Sequence, residues 1–150
     1  MPHRDGTLKA REFLFLAEDQ AMAALPAAFA RPERKVMWTI LQLYWRDPAV
    51  HFELQPQVAR GVVELGLHFE GTAEVNDAWA GHIGAHADHV LCELGPRWEL
   101  EEWTASWRRL HRTFPFVRLT PELGREVGDE FARALVALEP LIASGPTLPA

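Results

Sequence analysis

The stretch that decides the fold is residues 51–71, which read HFELQPQVARGVVELGLHFEG. It contains the triplet His-Phe-Glu twice, and apolar residues alternate with polar ones in both halves. A period of two is typical of β-strands, in which successive side chains point to opposite faces. The stretch therefore predicts two strands, 50–56 and 61–70, that each have one apolar and one polar face.

The short connection between these strands predicts that they pair in an antiparallel way. A four-residue loop sets Glu53 opposite Glu64 and His51 opposite Gly66. Two facing carboxylates repel each other, and a metal ion, an Arg or a shared proton between them would relieve the repulsion. The glycine leaves room for a ligand. The shared polar face then carries five side chains: His51, Glu53, Glu64, His68 and Glu70.

The flanking sequence predicts an α+β fold built around an antiparallel meander of three to four strands. The apolar run at 36–45 predicts a further strand, and FVRL at 116–119 is a candidate fourth. Apolar residues at helical spacing, together with capping residues, predict four helices. These helices cover residues 7–30, 74–94, 99–113 and 120–143, with Thr7 and Thr120 as N-caps. A frayed tail is expected at 144–150.

Composition places the chain among ordinary globular proteins. Its 150 residues suggest one domain, and its 48% hydrophobic content can fill a core. A net charge of -6 argues against nucleic acid as a partner, because phosphate binding needs concentrated Lys and Arg. One cysteine excludes an internal disulfide, and no apolar run is long enough to span a membrane. We therefore expect a soluble, cytoplasmic protein.

The polar face of the two strands is a candidate metal site. Imidazole nitrogens and carboxylate oxygens suit Zn, Mn, Fe or Ni. The candidate ligands are His51, Glu53, Glu64, His68 and Glu70. The alternative is an ordinary solvated face, because antiparallel sheets commonly keep one face polar and alternation alone places polar residues two apart.

A second candidate site is a small-molecule pocket between the polar sheet face and a helix. Three histidines recur at spacings of four and three, which puts them on one side of the predicted helix 74–94. The pocket would be lined by Tyr44, Trp79, His82, His86 and His89. If the helix instead covers the apolar face, the two histidine groups lie far apart.

Three functions remain open from the sequence. The first is a non-catalytic binding or interaction domain that associates with itself or with another protein through exposed sheet or aromatic surface. The second is a metal-dependent enzyme of hydrolase type, in which a spare carboxylate of the His/Glu site acts as general base. The third is a small-molecule-binding protein that uses the histidine pocket.

Overall fold

Six strands and four helices make up the part of the chain that the computed structural model describes, residues 6–146. This confirms the predicted α+β class, whereas the expected three to four strands undercount the sheet. The strands are β1 (Glu33–Met37), β2 (Ile40–Tyr44), β3 (Val50–Gln57), β4 (Val62–Phe69), β5 (Glu99–Glu102) and β6 (Arg108–Pro115). The helices are α1 (Ala10–Ala24), α2 (Ala73–Ala85), α3 (Ala87–Leu94) and α4 (Pro121–Ala143).

All six strands belong to one antiparallel sheet with the order β1-β2-β3-β4-β6-β5. The two strands read from the opening stretch, β3 and β4, lie at its centre. A single turn of 3₁₀-helix at Val58–Arg60 joins them, and Gly61 follows with a φ of 65°, a left-handed conformation that favours glycine. The crossover from β4 to β6 runs through α2, α3 and β5.

The pairing of β3 with β4 differs from the predicted register by two residues. His51 lies opposite His68, and Glu53 lies opposite Gly66. The expected pairs, Glu53 with Glu64 and His51 with Gly66, are therefore wrong, because the connecting loop lies one residue further along the chain. A shift of two residues leaves every side chain on its predicted face, since the period of a strand is two.

The apolar run predicted as one strand at 36–45 is a hairpin of β1 and β2. The chain reverses at Trp38, whose φ of 57° is the one positive value among the described non-glycine residues and whose side chain is 86% exposed. Hairpin turns need such left-handed residues, and they are usually Gly, Asn or Asp. Because a tryptophan is not a usual turn residue, the sequence pattern did not predict the turn at this position.

The predicted helix at 99–113 is wrong, because β5 and β6 form a second hairpin there. Trp103 and Trp107 lie in its turn, and their helical spacing is incidental. The hydroxyl of Thr104 accepts hydrogen bonds from the backbone N–H groups of Ser106 and Trp107, which closes the turn. The candidate strand at 116–119 is not formed either, since β6 ends at Pro115 and the N–H of the next residue bonds the carbonyl of Gly61.

The predicted helices agree with the structure best at the C-terminus, where Thr120 caps α4 as expected. Helix α1 is shorter than 7–30, because its N-cap is Lys9 and not Thr7, and because it ends before Pro26. The predicted helix 74–94 is two helices, because His86 leaves helical geometry with φ of -111°. Of the predicted frayed tail, residues 147–150 lie outside the described residues.

The helices that contact the sheet pack on its apolar face. Helices α1 and α4 lie against each other and cover the centre, where Phe131 of α4 meets Phe52 of β3 at a ring distance of 6.1 Å. Helix α2 packs near the C-terminal end of β4, where Trp79 stacks on Phe69 at 5.6 Å. A buried Arg112–Glu130 ion pair joins β6 to α4 on the same face. Phe13, Leu54, Leu65 and Leu135 are fully buried in this layer.

The opposite, polar face lies under no described helix. It is covered in part by the β5–β6 turn, which brings the ring of Trp103 against His68 at 4.8 Å. The polar face is therefore the part of the sheet where a site can form.

Among the described helices, none combines the length and apolar character that a membrane crossing requires.

Candidate metal centre

Four polar side chains of the central strands are buried on this face. His51 is 2% exposed, Glu53 5%, Glu64 2% and His68 0%. The sequence alternative of a solvated polar face is therefore wrong for these residues. Buried ionisable groups need partners, because the loss of hydration is costly. The arrangement of those partners shows what the cluster can do.

The ring of His51 is fixed by a backbone contact. Its Nδ1 lies 2.8 Å from the carbonyl oxygen of Pro48, and because a carbonyl oxygen only accepts, Nδ1 carries a proton. The other nitrogen, Nε2, is buried and makes no hydrogen bond with any residue from 6 to 146. It lies 3.4 Å from Oε1 of Glu53 and 3.6 Å from Oε2 of Glu70. Nε2 of His51 thus faces two carboxylates, an arrangement that either a proton on Nε2 or a cation between these groups would make favourable.

His68 lies between carboxylates on both sides. Its Nε2 is 2.9 Å from Oε1 of Glu64, and its Nδ1 is 3.1 Å from Oε2 of Glu70 and 3.8 Å from Oε2 of Glu53. Burial acts to lower the pKa of His68, but the hydrogen bonds to Glu64 and Glu70 outweigh it and raise the pKa to about 9. Without a metal ion the ring is therefore an imidazolium at neutral pH.

Glu53 is held as a carboxylate at the centre of the cluster. Burial acts to raise its pKa, while His51, His68 and a 3.2 Å hydrogen bond from Gln42 outweigh that effect and lower the pKa. Directly opposite lies Gly66. A Cβ atom there would lie 2.6 Å from Cβ of His111 and 2.8 Å from Oε1 of Glu64. The glycine is thus required by the close approach of its neighbours, whereas the sequence predicted open space for a ligand.

Four of the five predicted metal ligands come together. His51, Glu53, His68 and Glu70 each offer a nitrogen or oxygen atom, and these four atoms lie within 4.8 Å of one another. Glu70 follows β4 directly, and its side chain is 16% exposed, more than those of the other three. A buried group of two imidazoles and two carboxylates could hold a metal ion such as Zn, Mn, Fe or Ni.

The fifth predicted ligand, Glu64, lies one step away from this group. It accepts the hydrogen bond from Nε2 of His68, on the side of the ring that faces away from the other ligands. Its Oε1 also lies 3.6 Å from Nη1 of Arg109 and 3.7 Å from Nδ1 of His111. Glu64 is therefore placed to orient His68.

Three residues of this neighbourhood were missed by the sequence predictions, because they were assigned to a helix. Arg109 and His111 on β6 share the polar face, and both contact Glu101 of β5, at 2.9 Å and 3.2 Å. Burial and the nearby Arg109 lower the pKa of His111. The alternation in RRLHRTF, with Leu110 and Phe114 on the other face, was the signal that could have located them.

The predicted small-molecule pocket does not assemble on the sheet. Tyr44 lies on the polar face of β2, while Trp79 packs on the apolar face. His82 and His89 donate hydrogen bonds to the carbonyls of Leu141 and Ala137 in the last turns of α4, at 2.8 Å and 2.9 Å. His86 bonds the carbonyl of His82 at 2.9 Å. The two histidine groups of the sequence thus lie on opposite sides of the sheet.

Comparison with known proteins adds no functional information. The chain matches no protein-family model, and no curated protein or solved structure is significantly similar to it. The function has to be argued from the geometry of the His/Glu cluster.

Proposed function

We propose that this protein is a metal-binding domain in which His51, Glu53, His68 and Glu70 bind one divalent cation. The observation that carries the proposal is the buried Nε2 atom of His51, which faces two carboxylates and has no hydrogen-bond partner among residues 6–146. Buried polar atoms are nearly always paired, so an exception inside a cluster of metal-binding groups indicates a ligand.

The surroundings of both histidines support this proposal. A histidine that binds a metal usually donates its other N–H to a carbonyl or a carboxylate, which fixes the ring and raises its basicity. His51 has the carbonyl of Pro48 in this position, and His68 has the carboxylate of Glu64. A cation at Nδ1 of His68 replaces a proton there, while Nε2–H continues to donate to Glu64.

The proposed role is binding and cross-linking of the central strands, and not hydrolysis. Two protein ligands come from β3, one from β4 and one from the residue that follows it, so a bound ion ties these segments together. Metal centres with four protein ligands are typically structural, whereas catalytic centres keep an open position. A hydrolase would also need a free carboxylate as general base, and Glu64 is engaged with His68.

Metal analysis of untagged protein, dialysed after incubation with Zn²⁺, Mn²⁺, Fe²⁺ or Ni²⁺, tests the proposal. We expect about one ion per chain for at least one of these metals. Glu53→Gln preserves the shape of a central ligand but removes its charge, and it should lower the metal content several-fold. The matched control is Glu93→Gln, which makes the same change on the exposed surface of α3. Equal metal content in both variants would refute the proposal.

A further inference from the structure

An apolar groove lies on the apolar side of the sheet, away from the His/Glu cluster, between β5 and the pair α2–α3. Its volume is about 330 Å³. The side chains that line it include Ile83, Val90, Leu91, Trp98, Leu100 and Leu110. Two of these are unusually exposed for leucine, at 56% for Leu91 and 42% for Leu100. The groove therefore presents apolar surface that the described chain leaves uncovered.

The groove runs beside an edge of the sheet. Strand β5 pairs with β6 on one side, and it is the last strand in the sheet order, so no described strand pairs with its other side. Unpaired N–H and C=O groups of an edge strand can pair with an added strand. Leu100 is on the groove side of β5, while Glu99 and Glu101 are on the opposite face. An added strand would thus have pairing groups and an apolar groove next to each other.

The charges around the groove indicate which kind of chain segment could bind there. Asp88 lines the groove, and Glu99 and Glu102 stand at the two ends of the edge strand β5; all three acidic residues are exposed, against one exposed Arg in this segment, Arg97. Two copies of β5, whose sequence is ELEE, would bring like charges together if they paired with each other. The charge pattern therefore disfavours a second copy of this chain and favours a basic segment.

We propose that the outer edge of β5 binds an extended, basic segment of another protein. The segment adds a strand to the sheet by backbone hydrogen bonds and places an apolar side chain in the groove between Leu91 and Leu100. Its Lys or Arg residues lie near Asp88, Glu99 and Glu102. Strand addition of this kind obtains affinity from the main chain and specificity from pockets for alternate side chains.

Fluorescence anisotropy with a labelled synthetic peptide tests the proposal. The probe alternates leucine and valine at its centre and carries arginine and lysine at both ends. Two control peptides have glutamates in place of the bases, or proline at the central position, which cannot donate a ladder hydrogen bond. We expect the basic peptide to bind at least about tenfold more tightly than either control.

Two variants with the same added charge locate the binding surface. Leu100→Glu should weaken peptide binding about tenfold or more, although its charge attracts the basic probe more strongly. Val117→Glu places the same charge at a remote residue that is 98% exposed, and it should leave binding unchanged. Leu91→Glu is a second groove variant, and circular dichroism checks that each variant folds.

The proposal is overturned if the wild type binds the probe more weakly than about 1 mM, or if Leu100→Glu and Val117→Glu bind it equally. It is also overturned if the proline peptide binds as well as the basic one, since strand pairing is then not involved. Light scattering supplies the remaining test. A dimer of the wild type that Leu100→Glu abolishes would assign this edge to a second copy of the chain.

Discussion

At the scale of single residues, the fixed orientation of two imidazole rings is the basis of the proposed metal centre. Nδ1 of His51 bonds the carbonyl of Pro48 and Nε2 of His68 bonds Glu64, so each ring presents its other nitrogen to the remaining carboxylates of the cluster. Sequence alternation placed both histidines on one face, but it could not show these contacts, because they depend on a backbone carbonyl and on the side-chain conformations.

The first prediction concerns pH and the metal-free protein. The pKa of His68 is raised to about 9, so its imidazolium stabilises the fold fully below the ordinary pKa of 6.5. This contribution is lost as the pH rises from 6.5 to about 9, and it is on the order of 3 kcal/mol. Urea unfolding in the presence of a chelator at both pH values measures the loss. His68→Gln lacks the titrating group, and an equal loss in this variant would contradict the prediction.

The second prediction concerns Gly66. Gly66→Ala would place a methyl group against His111 and Glu64, and overpacking of this kind costs about 1–3 kcal/mol. The variant should also lower the metal content, because the methyl group would displace the Glu64 oxygen that bonds Nε2 of His68 and orients this ligand. The matched control is Gly81→Ala in α2, where a Cβ would meet nothing within 4 Å. That variant should gain up to about 1 kcal/mol from helix propensity. Similar stability changes in both variants would show that Gly66 is not tightly enclosed.

At the scale of elements, the sequence predicted the strands whose alternation is clear and missed those whose turn or pattern is unusual. β3 and β4 alternate strictly, so their bounds and faces were predicted within a few residues. β6 has Arg112 at a core position, where it pairs with Glu130, and this interrupts the apolar pattern that marks a strand. Long-range pairing of such a residue is not visible in the local sequence.

The third prediction concerns the β1–β2 turn. A side chain in left-handed backbone geometry costs roughly 1–2 kcal/mol, and glycine relieves that cost. Trp38→Gly should therefore hold or raise the free energy of unfolding, since the exposed ring contributes little packing. Val117→Gly at an exposed residue without positive φ should lower it by up to about 1 kcal/mol. Denaturant unfolding compares the two, and a loss of stability in Trp38→Gly larger than that in Val117→Gly would contradict this account.

At the scale of the whole molecule, the sheet separates two surfaces with different proposed roles. The helices cover the apolar face, the polar face holds the His/Glu cluster, and the outer edge of β5, which no described strand pairs with, is the proposed binding surface for another chain. The sequence predicted the α+β class because the alternating and helical patterns are local. It could not predict the sheet order, since that depends on the crossover from β4 to β6.

The fourth prediction concerns global stability. A ligand that binds only the folded state at a hundredfold excess over its Kd adds about 2.7 kcal/mol. For a chain of this length we expect the midpoint of thermal unfolding to rise by about 5–10 °C when the preferred metal is added. Glu53→Gln should show no such rise. An increase of the same size in this variant would place the stabilising ion elsewhere.

The most direct test of the central claim is an NMR measurement of the histidine ring nitrogens during titration with Zn²⁺. The structure predicts that Zn²⁺ binds Nε2 of His51 and Nδ1 of His68, while Nδ1 of His51 and Nε2 of His68 keep their protons. The rings of His82, His86 and His89 should remain unchanged. If those three rings respond and His51 and His68 do not, the proposed metal centre is wrong.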